Sequence, residues 1–177
     1  MFIPYKSQEI NDKGGIWYGI NQLTGNIILV NKKKLKNHNC LILGQSGLGK
    51  SFFGNAIAYA AIDRGVRTLK ATAYQCIQSV LDGIDRHEEG IAPYLSAPLL
   101  VLDDLGTEPM VPNVTVETFF RILNERGADR LPTVLISNLD REALYERYGE
   151  RVASRMIDGA LTAIVLLKGD NLRTRVR

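Results

Sequence analysis

A chain of 177 residues with 45% hydrophobic side chains can bury one core but not two large ones, and its composition is globular rather than disordered. The formal net charge of +3 is too near neutrality to argue by itself for a nucleic-acid partner. Two cysteines, Cys40 and Cys76, with no His or Cys at metal-ligand spacing, argue against a disulfide framework and a structural zinc.

The first fifteen residues are polar and end in Gly14-Gly15. They lack the charged-then-apolar order of a signal peptide. "IWYGI" (16–20) and "NIILV" (26–30) are β-rich runs around "NQLTG", a pattern that predicts a hairpin. A polar connector, "NKKKLKNHN" (31–39), follows. Its lysines 32, 33, 34 and 36, like Arg173, Arg175 and Arg177 at the far end, suit either a solvated surface or phosphate contact.

A regular alternation then begins. Strands are expected at 40–44, 66–73, 98–104, 132–138 and 161–167. Helices are expected at 50–63, 74–86, 114–127, 140–147 and 150–158. Strands alternating with helices predict an α/β fold with a parallel sheet of about five strands between helical layers, preceded by the hairpin. Continuous apolar strands such as "LLVL" agree, since parallel strands are buried on both faces. The division expected is an arm and hairpin over 1–38 and one large domain over 39–177. The longest apolar run, near 161–167, is far short of the ~18 residues of a transmembrane helix. No membrane insertion and a reduced, cytoplasmic setting are expected.

"LILGQSGLGKSFFG" (41–54) carries the chemistry. Gly44, Gln45, Ser46, Gly47, Leu48, Gly49, Lys50 and Ser51 fit G-x-x-x-x-G-K-[ST] at every fixed position. Glycines let the backbone curl so that its N–H groups face phosphate oxygens, and the helix that follows adds its positive end. Lys50 suits the β- and γ-phosphates, and the Ser51 hydroxyl suits Mg²⁺. An apolar strand before the loop and a helix after it supply the required context. About fifty residues on, "LLVLDDLG" is an apolar strand ending in two carboxylates. Asp103 is the candidate holder of Mg²⁺, and Asp104 the group that polarises an attacking water. Glu108 is an alternative base. Asn138 ends another strand, where its amide either orients that water or simply forms a turn. Arg151 and Arg155 share a helix face at i, i+4. They suit either a solvated surface or transition-state charge on a neighbouring subunit's nucleotide.

These elements in this order resemble the AAA+ ATPases, a P-loop NTPase class. Over roughly residues 54–177, "LLVLDDLGTEPM", "LNERGADRLPTVLISNL" and "LYERYGERVASRM" resemble the DnaC-type helicase loaders and the IstB-like transposition helpers. That resemblance implies Walker A at Gly44–Ser51, Walker B at Asp103 and Asp104, a sensor at Asn138, and an arginine finger at Arg155. It implies that Arg173, in "KGDNLRTR", reads the nucleotide, and that the sheet order is 5-1-4-3-2. It also implies ATP with Mg²⁺, hydrolysis, an ATP-dependent homo-oligomer, a replicative helicase or transposase as partner, and contact with single-stranded DNA. The stretch from Gly14 to Phe52 instead resembles the Walker A lead-in of conjugative type IV secretion ATPases, which sets a join near Ser51–Gly54. The rival functions are therefore a conjugation ATPase and a nucleotide-dependent binding module without turnover.

Overall fold

The computed structural model describes residues 16–20, 27–30, 39–159 and 162–167. The chain divides into two units, Met1–Lys36 and Asn37–Arg177. In the first, β1 (Ile16–Ile20) pairs antiparallel with β2 (Ile27–Val30), the hairpin strands expected from the sequence.

The second unit alternates β3 (Asn39–Leu43), α1 (Lys50–Ile62), β4 (Thr68–Thr72), α2 (Ala73–Arg86), α3 (Ala92–Ser96), β5 (Leu99–Leu105), α4 (Thr115–Ala128), β6 (Thr133–Ser137), α5 (Arg141–Ile157) and β7 (Thr162–Leu166). The five strands are parallel and lie in the order β7-β3-β6-β5-β4. Counted from β3, that is 5-1-4-3-2, as the resemblance implied. Only α3 was not foreseen. It has five residues and a proline in its first turn, too few for a helical period to show.

Alternation along the strands sends successive side chains to opposite faces. Leu41, Leu43, Leu100, Leu102 and Leu135 join one apolar core with residues of α2, α4 and α5 such as Ile77, Phe119, Ile122, Val152 and Met156. The residues between them, Val101 and Ile136, face α1, whose Gly54 lies over both. One helix thus covers one face of the sheet and the rest cover the other. Cys40 and Cys76 are buried and no disulfide joins them. Burial pushes the Cys76 thiol up to about 12, so it stays protonated.

Local signals explain the element ends. Thr72 and Gln75 form a reciprocal capping box that starts α2 where β4 stops. Asp140 caps α5 by accepting from the Ala143 N–H at 2.9 Å. Inside α5, Gly149 stands at φ 74°, ψ 165° and breaks the helix into two segments, which matches the two short helices expected from the sequence.

A charge is built into this core. Arg126, 1% exposed, donates to the carbonyls of Tyr94, Leu95, Ala97 and Pro132 at 2.7–3.0 Å and to Thr133 Oγ1 at 2.9 Å. The planar fork satisfies the end of α3 and the entry to β6 together. Burial lowers its pKa to about 10. Arg126→Met should leave several buried carbonyls without donors and destabilise the fold by about 3–5 kcal/mol. Arg126→Lys should restore only part of this, because an ammonium lacks the fork. Chemical denaturation of the two variants measures both quantities, and a loss below about 1 kcal/mol in Arg126→Met would overturn the assignment.

Candidate nucleotide-binding site

In a parallel sheet all strands end at one edge, so the loops after β3, β5 and β6 meet there. The loop after β3 runs from Gly44 to Gly49. Gly47 and Gly49 adopt φ of 89° and 77°, values that suit glycine and turn successive N–H groups inward. Gly44 is held for a different reason. A Cβ there would meet the Leu167 carbonyl at 2.8 Å and Leu48 Cδ1 at 3.3 Å. Helix α1 opens with no side-chain cap and no acidic residue in its first turn, which leaves its positive end to an anion. Lys50 is buried and donates to the Gln45 carbonyl at 2.6 Å, so its ammonium lies across the loop.

Strand β5 brings the two carboxylates to the same edge by a bulge. Leu102 pairs with Leu135 and Leu105 with Ser137. Three steps along β5 therefore match two along β6. The extra residue lets Leu105 return to the core, with Asp103 buried and Asp104 exposed at the tip. Asp104 adopts φ 54°, a left-handed conformation that Asp tolerates better than most residues. Asp103 is 4% exposed. Its Oδ1 accepts from Ser51 Oγ at 3.3 Å and from the Asp104 N–H at 2.9 Å. Its Oδ2 lies 3.4 Å from Lys70 Nζ.

Strand β6 supplies the third tip. Ser137 is fully buried; its hydroxyl donates to the Leu105 carbonyl at 2.7 Å and accepts from the Leu139 N–H at 3.1 Å. It ties the two tips together and presents Asn138. The result is a cavity of about 300 Å³ lined by Ser46, Gly47, Gly49, Lys50, Ser51, Phe52, Asp104 and Asn138.

The structure thus gathers Ser46, Gly47, Gly49, Lys50, Ser51, Asp104 and Asn138 around one cavity and sets Asp103 against Ser51. Gly44, Gln45 and Leu48 shape the loop without lining the cavity. Arg155 does not line it either. It stacks over Phe120 with 4.7 Å to the ring centroid and donates to the Arg151 carbonyl at 2.6 Å. Arg151 covers the same ring at 3.5 Å and pairs with Glu117 at 2.9 Å. Arg173 lies outside the described residues.

Glu108 behaves differently from an available base. It is 2% exposed. Oε1 accepts from Tyr148 Oη at 2.6 Å and Arg147 Nε at 3.1 Å, and Oε2 from the Gly106 N–H at 2.8 Å. Arg147 also donates to the Glu108 carbonyl. Burial, then the nearby Glu108 charge, raises the Tyr148 phenol. Glu108 therefore anchors the turn after Asp104 to α5. Lys70, Ser137 and the Arg147–Tyr148 pair were not singled out in the sequence. No local pattern pointed to any of them; an exposed lysine on an edge strand is ordinary.

Among the described residues no three His, Cys, Asp or Glu side chains converge to hold a metal. One hydroxyl and one carboxylate beside a phosphate loop is instead the donor set of Mg²⁺ carried with a nucleotide, which keeps several waters and phosphate oxygens of its own. The residues present fit that ion.

The chain is 28% identical over 145 residues to an insertion sequence IS5376 protein of Geobacillus stearothermophilus named for ATP binding, covering 79% of this chain and 57% of that protein. It is 27% identical over 150 residues to the replicative helicase loader DnaI of Bacillus subtilis, covering 78% and 48%. The chain thus spans about half the length of these curated relatives. A solved structure of AMPPCP-bound DnaA from Aquifex aeolicus superposes with a TM-score of 0.63 at 25% identity, over 80% of this chain and 46% of that one. The model of the IstB-like ATP binding protein family matches residues 32–177. That match starts ahead of the phosphate loop and runs through 51–54, so it removes the reason for a join there, and the secretion-ATPase resemblance is not supported. The five-stranded P-loop fold and the match over residues 32–177 together show that the chain belongs to the IstB-like ATP-binding protein family.

Proposed function

We propose that this chain is a Mg²⁺-dependent ATPase that works as an ATP-assembled homo-oligomer in DNA replication or in mobile-element DNA metabolism, through a replicative helicase or a transposase and in contact with single-stranded DNA. The convergence of Asp104 and Asn138 on the phosphate-loop cavity carries this reading. A domain that only held nucleotide would need the loop; a carboxylate and an amide across the cavity from it suit a water that attacks the γ-phosphate.

The loop N–H groups and Lys50 would bind and orient the phosphates, with Lys50 exchanging the Gln45 carbonyl for phosphate oxygen. Ser51 and Asp103 would hold Mg²⁺, which supplies charge neutralisation on the phosphate oxygens. Asp104 would take the proton of the attacking water, and Asn138 would fix that water's direction. Arg155 would complete the site of the next copy, since it does not line its own. Arg173 is proposed to read the nucleotide from the C-terminal side. The IS5376 relative is named for ATP binding and DnaI for helicase loading; both roles support the proposal. Among the described residues no helix is long and apolar enough to cross a membrane.

Four variants test this reading. Lys50→Ala should abolish nucleotide binding or turnover while the circular dichroism spectrum stays native; unchanged affinity together with unchanged turnover would refute it. Asp104→Asn keeps size and suits the left-handed backbone, so binding should survive while turnover falls roughly 10²–10⁴-fold. Glu108→Gln should instead cost stability, roughly 1–3 kcal/mol, with a smaller loss of turnover. The reverse ranking would make Glu108 the base. Arg155→Ala should spare monomer binding and lower turnover roughly 10³–10⁵-fold, the scale of an arginine supplied in trans. Mixing it with Lys50→Ala should recover part of the activity, because some interfaces then pair an intact site with an intact arginine. Full turnover in Arg155→Ala would make the arginine a surface residue of α5.

A further inference from the structure

Lys70 is an exposed residue of β4, the edge strand of the five-stranded sheet. It lies in the middle of β4, in register with Val101 of β5, two residues before Thr72, which faces Asp103. Its ammonium crosses to the metal side of the site. Nζ lies 3.4 Å from Asp103 Oδ2 and donates to Asn55 Oδ1 of α1 at 2.7 Å. The Lys70 side chain is 33% exposed and that of Asp103 only 6%, so one partner of the pair is shielded from solvent. The other oxygen of the same carboxylate faces Ser51. One carboxylate is thus shared between the hydroxyl that would hold Mg²⁺ and a cation that belongs to the chain.

We propose that Lys70 is a resident counter-cation of this site, which neutralises Asp103 in the absence of Mg²⁺ and weakens the hold of Asp103 and Ser51 on the ion. The inference rests on the Mg²⁺–nucleotide reading above. Without metal, the Asp103 charge would repel a polyphosphate; the ammonium offsets that repulsion. With metal, a dication that Asp103 and Ser51 would hold meets a positive charge already paired with the same carboxylate, and like charges oppose each other. Both effects reduce the factor by which Mg²⁺ improves nucleotide affinity. Lys70 is thereby a positioning and tuning residue that acts through Asp103, and it need not touch the nucleotide.

The full chain and a fluorescent ADP test this. Affinity is measured in EDTA and in saturating Mg²⁺, and Mg²⁺ is titrated at fixed ADP. Because metal and nucleotide are linked reciprocally, both measurements report one coupling factor. The wild type should bind ADP in EDTA to within about tenfold of its affinity in Mg²⁺. Lys70→Gln should raise that ratio about tenfold, with Mg²⁺ half-saturation falling by a similar factor, after discounting for the exposed lysine. Lys70→Arg, which keeps the charge, should stay within about twofold of wild type. A lysine that only braced β4 against α1 would change stability and leave the ratio unmoved, so an unchanged ratio in Lys70→Gln overturns the proposal. Should that variant not fold, Lys70→Met keeps the stem and gives the same comparison. Independently of any variant, a wild-type ratio above about a hundredfold overturns it. Absence of ADP binding in either condition refutes the site reading itself and this inference with it, an outcome distinct from retained binding with an unmoved ratio.

Discussion

The candidate nucleotide site is organised by one buried carboxylate, Asp103. Burying a charge as sheltered as Asp103 is costly unless it is partnered, and its partners come from three elements. Ser51 belongs to α1, the Asp104 N–H to the strand tip, and Lys70 to β4. Holding Asp103 therefore holds the start of the phosphate-loop helix against the sheet. The bulge at Asp103 and Asp104 lets this happen without sacrificing packing, because Leu105 still reaches the core. The fold and the site are thus one arrangement. Parallel strands bring the tips together, and the extra residue in β5 leaves Asp104 exposed beside the buried Asp103 at the place where they meet.

Much of this was legible in the chain. The alternation of apolar strands and amphipathic helices has a strong period, and a parallel α/β sheet follows from it. The phosphate loop is legible because each glycine and the lysine have a single geometric use. The placement of Asp104 and Asn138 at one cavity was recoverable because both lie at the ends of apolar strands, and strand ends at one edge converge. The resemblance of the sheet order to a known class was a further guide that periodicity does not supply.

What stayed hidden depends on side chains meeting across sequence distance. Glu108 looked like a candidate base because it follows two aspartates closely. Its role is set by Arg147 and Tyr148, 39 and 40 residues away, and no local pattern encodes that meeting. Lys70 is an ordinary exposed lysine of an edge strand, and its reach to Asp103 depends on which strand lies beside β4. Arg126 reads as an ordinary last-turn cation of α4 and is instead the most enclosed charge in the described chain. Helix α3 was missed because five residues around a proline carry no period. Arg155 has a definite resting place on Phe120, which a helix-face argument could not give.

Arg126 also bears on how the unit comes together. Its five acceptors lie on three stretches of chain: the end of α3, the turn before β5 and the entry to β6. None of them is a carboxylate, so no single contact compensates the loss of water. A half-assembled form with α4 docked but α3 or β6 astray would hold a dehydrated guanidinium facing too few oxygens. Such forms are penalised relative to both the complete fold and the open chain. The residue therefore sharpens cooperativity: it adds little to any one step of assembly and makes the intermediate arrangements scarce.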